Sequence, residues 1–382
     1  MDNNHPKLKI HYHSLLGSKS NSIALIIFLF LTVTVILSLF IWSPPYFSIF
    51  QTQQIIQCSH SSNSTTGFEM TPKINIEDEL ELALAKASMG NKTVIIVVIN
   101  RAYAEQDLKG DTTMLDIFLD SFWLGGEETR KLRDHLLIVA VDQTAYDRCQ
   151  FLRLNCFRLE TDGVDFRGEK LFMSQEFIKM MWRRTLFLLD VLKRGYSFVF
   201  TDMDVMWLRN PFERLSKNET EDLQISTDMF FGDPWNKKHL INTGFYYVRS
   251  NNKTIALFDK WYSMKDNSTG LKEQDVLLGL IRGGIIDQLG LRVRFLDTKY
   301  FSGFCQDSKD FRAVTTVHAN CCRSITAKVT DLRTVLKDWK RYKKIMSYKR
   351  FANNVNVTQT FKWTGHWGCW SSWKVGNNKT SN

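Results

Sequence analysis

A chain of 382 residues that is 44% hydrophobic, with few Gly and Pro, can bury one large core or two modest ones and is not a disordered polymer. Its formal charge of +10 suits an anionic ligand such as a nucleotide diphosphate or an acidic polysaccharide, and serves solubility equally well. Nucleic acid is not expected as a partner.

The first element is residues 23–42, an uncharged run dominated by Ile, Leu, Val and Phe. As a helix it would be about 30 Å long, enough to cross a hydrocarbon core. A cleaved signal peptide has a shorter apolar region followed by small residues, whereas this run ends in Trp42-Ser43-Pro44-Pro45, so an uncleaved anchor is expected. Lys7, Lys9 and Lys19 precede the span, and no Lys or Arg follows it until Lys73. Residues 1–22 therefore read as a cytosolic tail and the rest as luminal, a single-pass type II arrangement. Sequons at Asn63, Asn91, Asn218, Asn252, Asn267, Asn356 and Asn378, and Cys residues that all follow the span, agree with a glycosylated, disulfide-forming luminal body. Residues 43–71, rich in Ser, Thr, Gln and Asn, read as a flexible stem. The cysteine count is odd, and Cys58 in the stem is the candidate for a bond between chains, which would make a homodimer; the pairing of the other six stays open.

The main domain, 72–346, follows. A helix is expected over 77–87 with Asn75 as its cap. TVIIVVI (93–99) is a continuous β-branched run, the pattern of a strand covered on both faces. An amphipathic helix over 114–123, a buried strand LLIVAV (136–141), a helix over 174–193 and a third strand SFVFT (197–201) continue the alternation. Such alternation implies an α/β sandwich with a mainly parallel sheet, whose ligands bind at the carboxyl ends of the strands. By that rule Asn100 and Arg101, just past the first strand, are expected at a nucleotide.

Straight after the third strand stands Asp202-Met203-Asp204, followed by an apolar turn. Two carboxylates two residues apart at the open end of a buried strand can converge on one hard cation, Mn²⁺ or Mg²⁺, and that cation can bridge the phosphates of a nucleotide sugar. The same beginning serves phosphohydrolases of the haloacid dehalogenase type, with the first Asp as nucleophile, although no later paired-Asp loop is evident here.

The stretch YSFVFTDMDVMWLRNPF (196–212) resembles the core of the plant nucleotide-diphospho-sugar transferases, glycosyltransferase family seventy-seven. INTGFYYVRSN (241–251), EQDVLLGLI (273–281) and TVHANCC (316–322) match in order, and the similarity covers roughly residues 75–345. The resemblance implies a GT-A fold, metal-dependent transfer with retention of anomeric configuration, a Golgi setting, and cell-wall glycan or glycoprotein acceptors, with a pentose as the favoured donor sugar. It adds His318, after a strand expected over 313–317, as a third metal ligand beside Asp202 and Asp204. It also suggests sugar contacts from Asn242 and Gly244, with Gly allowing close backbone approach, and catalytic roles for Gln274 and Asp275 beneath the donor sugar. A basic residue on the helix before the third strand, Arg184 or Arg183, is expected at the donor diphosphate, and Asp202 is expected to contact the donor as well as the metal. The extension 347–382 carries Trp363, Trp367, Trp370 and Trp373, which could stack on sugars or pack the segment onto the domain. The competing reading of the whole is a catalytically inert Golgi protein that binds glycans or recruits transferases.

Overall fold

The computed structural model describes residues 78–105, 112–161, 163–170, 172–351 and 361–374. The expected span, stem and Cys58, together with Asn75, Asn63, Asn356 and Asn378, lie outside these described residues. Among the described residues no helix is long and apolar enough to cross a membrane.

Helix α1 (Glu79–Ala87) begins later than its periodicity suggests, because the Asp78 carboxylate accepts from the Leu80 amide and so caps it. Strand β1 (Thr93–Ile99) leads into the short α2 (Arg101–Ala104). Helix α3 (Met114–Leu124) is fixed by a reciprocal Thr113–Asp116 capping box, and α4 (Glu127–Lys131) follows it. Then come β2 (Leu136–Ala140), α5 (Gln143–Phe151), β3 (Asn155–Arg158), the long α6 (Gln175–Lys193) capped by Ser174, and β4 (Ser197–Thr201). The second half holds β5 (Val205–Trp207), β6 (Leu223–Met229), β7 (Leu240–Val248), α7 (Asn252–Ser263), α8 (Glu273–Arg282), α9 (Ile285–Gln288) and β8 (Val293–Phe295). It closes with β9 (Phe301–Gly303), β10 (Thr316–His318), α10 (Ile325–Phe351) and α11 (Trp367–Ser372).

The large sheet has the order β3-β2-β1-β4-β7-β6-β8. Only β7 runs against its neighbours, so the sheet is mainly parallel, as the alternation predicts. A second sheet, β5-β10-β9, sits beyond the end of β4. Alternate side chains of β1 serve opposite faces: Ile95, Val97 and Ile99 join Phe118, Phe122 and Trp339, while Val94 and Ile96 join Leu84, Leu188 and Trp182. That is why TVIIVVI carries no polar alternation, and each such side chain contributes about 1.5–3 kcal/mol by leaving water. The result is an α/β/α sandwich.

Two expectations shift. The strand expected over 313–317 forms only at Thr316–His318, because the Ala313 and Val314 amides turn back onto the Asp310 carbonyl. Helix α10 runs on past residue 346, and the segment 361–374 packs against the same body through a Cys322–Cys369 disulfide. The other pairs are Cys149–Cys156 and Cys305–Cys321. Asn91, Asn218, Asn252 and Asn267 are all exposed.

Candidate active site

The site is assembled where the two sheets meet. Strand β4 ends at Thr201, and a turn closed by the Val205 amide on the Asp202 carbonyl reverses the chain into β5, presenting Asp202 and Asp204 on the way. Antiparallel pairing of β10 with β5 sets His318 opposite Val205, next to Asp204, and the Ala319 amide donates to the Asp204 carbonyl. On the other side, β7 pairs with β4 so that the Gly244 carbonyl takes the Asp202 amide at 2.6 Å.

These pairings bring one ligand atom each from Asp202, Asp204 and His318 within 4.8 Å of one another. His318 Nε2 lies 3.2 Å from Asp204 Oδ1 and 3.9 Å from Asp202 Oδ2. Two hard carboxylate oxygens and an imidazole nitrogen are a donor set that fits Mn²⁺ or Mg²⁺. Without a metal, protein cations balance the carboxylates. Arg184, on α6, reaches Asp202 Oδ1 at 2.9 Å and Glu273 Oε1 at 2.6 Å, and Lys328 Nζ, in the first turn of α10, stands 2.8 Å from Asp204 Oδ2.

Burial alone would push the Asp204 carboxyl up, but Lys328 and then His318 outweigh it and hold the group well below the usual carboxylate range. Asp202, with 34% of its side chain accessible at the cleft wall, is pushed up by desolvation against the pull of Arg184. Burial is the largest single influence on His318 and Lys328 and works against their protonation, yet the neighbouring acids, Asp204 foremost, together raise both. Asp204, His318 and Lys328 thus hold one another charged.

These groups line a cleft of about 270 Å³. Its wall carries Glu169, Asp202, Asp204, Asp228 and Glu273 against Lys170, Arg184, Lys272, Arg323 and Lys328, a balanced set. A divalent cation and a doubly charged diphosphate could enter together without disturbing that balance.

The family model for nucleotide-diphospho-sugar transferases matches residues 131–332, a span that includes the ligand cluster and Lys328. This chain belongs to that family. An uncharacterized Arabidopsis thaliana protein is 59% identical over 298 residues, 78% of this chain and 84% of its own length. The β-arabinofuranosyltransferase of the same plant is 27% identical over 256 residues, 61% of this chain and 43% of that protein. Its UDP-D-xylose:L-fucose α-1,3-D-xylosyltransferase 3 is 26% identical over 196 residues, 49% of this chain and 47% of that protein. The chain therefore spans under half the length of those two named transferases. As a glycosyltransferase, the molecule is an enzyme, and the phosphohydrolase reading of Asp202 is set aside.

Within this transferase the expected residues separate. Asn100, Arg184, Asp202, Asp204, Asn242, Gln274 and His318 all line the cleft. Asn100 donates from Nδ2 to the Phe166 and Gly168 carbonyls, while its buried Oδ1 has no partner among the described residues. Asn242 bridges Asp228 and the Gly244 amide, and Gln274 Oε1 accepts from the Thr243 amide.

Four expected residues stand elsewhere. Arg183, one residue along the helix and so about 100° round it, turns to the Glu160 carbonyl. Arg101 projects outward onto Glu105, and only its backbone amide is engaged inward, on Asp142. Asp275 does not line the cleft; its neighbour Glu273 does, locked to Arg184. Gly244 lies within β7 and is not among the residues that line the cleft. A Cβ there would sit 2.3 Å from His318 Cε1 and 2.7 Å from Asp202 Oδ2, so the close approach it permits is that of the site's own side chains.

Lys328, Glu273, Asp228 and Asn320 escaped the sequence reading. Lys328 did carry a signal, since a cation in the first turn of a helix opposes the helix dipole and calls for an anionic partner. Asn320, just past β10, and Asp228, on β6, meet through a 2.7 Å hydrogen bond across 92 positions of sequence, which no local pattern announces.

Proposed function

We propose that this transferase moves a sugar, with a pentose favoured, from a nucleoside-diphosphate donor to a hydroxyl of a cell-wall glycan or glycoprotein, with retention of configuration, in the Golgi lumen. The observation that carries this reading is the Asp202–Asp204–His318 cluster at the strand ends, flanked by Arg184 and Lys328. The names of the arabinofuranosyl and xylosyl relatives support a pentose.

Asp202, Asp204 and His318 would hold Mn²⁺ or Mg²⁺, whose charge would offset that of the departing diphosphate. Arg184 keeps Asp202 oriented and charged, while Lys328 supplies a second cation beside the phosphates. Asn100, whose Oδ1 has no partner among the described residues, takes an N–H or O–H of the nucleoside. Gln274, its oxygen committed to Thr243, offers its amide nitrogen to the donor sugar, and Asn242 and Asp228 offer hydroxyl contacts. Among the described residues the cleft carboxylates Asp204, Asp228 and Glu273 are each engaged by protein partners, which favours departure of the diphosphate with attack from the same face over double displacement. The exposed Asn91, Asn218, Asn252 and Asn267 are proposed to carry glycans, and residues 23–42 to anchor the chain as a type II protein.

The test is a panel of nucleotide sugars given to the purified full-length protein with Mn²⁺ or Mg²⁺. Ion-dependent release of nucleoside diphosphate, fastest from a pentose donor, is expected. Binding of glycans with no donor bound or turned over under either ion would favour the inert glycan-binding alternative.

A further inference from the structure

The tryptophan-rich segment divides into two populations. Trp363 is structural: it stacks on Phe311 with ring centres 3.9 Å apart and donates its indole N–H to the Ser308 carbonyl. His366 likewise stacks on Phe304 and pairs with Asp307, and the Gly368 and Cys369 amides donate to the Asp331 carboxylate. These contacts and the Cys322–Cys369 disulfide fasten one side of α11 to the body.

The other side is left bare. Trp367, Trp370 and Trp373 are 66%, 51% and 39% exposed. Their spacing of three residues makes each the helical neighbour of the next, in a row that winds about 120° round the axis, and Trp367 meets Trp370 edge-to-face at 4.9 Å. Trp373 ends the row inside the active-site cleft, whose wall it lines. There its indole N–H donates to the Cys321 carbonyl at 2.7 Å, and the Arg323 guanidinium lies 3.8 Å from its ring centre. Trp373 is thus held by the body on one side, whereas among the described residues the Trp367 and Trp370 rings meet each other, and leaving them in water forgoes burial energy.

We infer that Trp367, Trp370 and Trp373 form a stacking track for the glycan acceptor, leading along α11 into the donor cleft. The inference rests on the transfer reading above and names the surface on which its second substrate lies. A sugar ring presents an apolar C–H face that an indole covers, while its hydroxyl edge stays hydrated. Three residues of helix rise about 4.5 Å, on the scale of one sugar unit, so successive indoles can meet successive rings. Continuity with the cleft decides the occupant. A row that ends in the wall of the donor cleft suits the molecule that must meet the donor there, which a membrane or a second copy of the chain need not do.

The experiment is isothermal titration of the full-length protein with xylo-, arabino- and galacto-hexasaccharides, and separately with UDP plus Mn²⁺. At least one hexasaccharide is expected to bind. Its Kd should rise about tenfold in Trp370→Ala, the loss typical of one stacked tryptophan anchor, and recover in Trp370→Phe. UDP–Mn²⁺ affinity should not change in either variant. No binding of any hexasaccharide to the wild type, or wild-type affinity in both Trp367→Ala and Trp370→Ala, overturns the track. So does Trp370-dependent binding to phosphatidylcholine–phosphatidylserine vesicles, or Trp370-dependent self-association, without oligosaccharide binding. Failure of the wild type to bind UDP with Mn²⁺ would instead strike the transfer reading.

Discussion

Replacing Gly244 by Ala adds a single methyl group at the most crowded point of the site. The added Cβ would stand 2.3 Å from His318 Cε1, 2.7 Å from Asp202 Oδ2 and 2.9 Å from Asn242 Oδ1. Carbon contacts settle near 3.5–4.0 Å, so the His318 ring must retreat by about 1 Å. A metal site tolerates displacements of roughly 0.2 Å. His318 has little room to yield, since β10 pairs on both sides and Asp204 holds its ring. Overpacking of this kind costs about 1–3 kcal/mol, against at most about 1 kcal/mol gained from a stiffer unfolded chain. Gly244→Ala should therefore lower the melting temperature modestly and weaken Mn²⁺ binding by about tenfold or more, the scale seen when groups supporting metal ligands are disturbed. Gly279→Ala is the matched control, because its Cβ points into open space on α8 and the change should slightly stabilise the helix. The assay is Mn²⁺ titration by electron paramagnetic resonance alongside thermal unfolding. Wild-type metal affinity in a folded Gly244→Ala protein would refute the packing argument.

Arg184→Met should cost about 3–5 kcal/mol in chemical denaturation, because it leaves Glu273 buried without its cation; adding Glu273→Leu should restore much of that stability but none of the transfer activity. Lys328→Met removes the cation beside Asp204, so the metal-free protein should lose about 3 kcal/mol and gain more thermal stability from Mn²⁺ than the wild type does. Tyr196 is pushed up from 10.0 to about 12, by burial first and then by its hydrogen bond to Glu81. Its folded form thus holds the proton more tightly, so its contribution is complete below about pH 10 and falls by about 3 kcal/mol as pH rises through 12. Tyr196→Phe should flatten that alkaline limb in denaturation measured from pH 9 to 12. Removing both Cys322 and Cys369 opens a crosslink spanning 47 residues and should cost about 4 kcal/mol, read as a lower melting temperature with earlier proteolysis after α10.

The metal cluster was legible because two aspartates followed a run too apolar to be anything but a buried strand, and burial on both sheet faces leaves only the strand's end for chemistry. His318 was reached through resemblance, and its strand was misplaced because the β-branched run from Val314 reads as extended although a turn at Asp310 consumes its start. The choice between Arg183 and Arg184 was not open to sequence reasoning: adjacent helical residues differ by about 100° in direction, and only the packing of α6 on the sheet selects Arg184. Glu273 was obscured by its place in an acidic first turn, where carboxylates are ordinary. The tryptophans of the last segment all look alike in sequence, and only the contacts of α11 separate Trp363 from the three exposed indoles.

The central claim is that Asp202, Asp204 and His318 hold a divalent cation on which nucleotide binding depends. The most direct measurement is the UDP affinity of the full-length protein and its Asp204→Asn variant by calorimetry, each with Mn²⁺ and with chelator. The account predicts tight binding only for the wild type with Mn²⁺, and at least about a tenfold loss in the variant. Equal UDP affinity in all four conditions would contradict it.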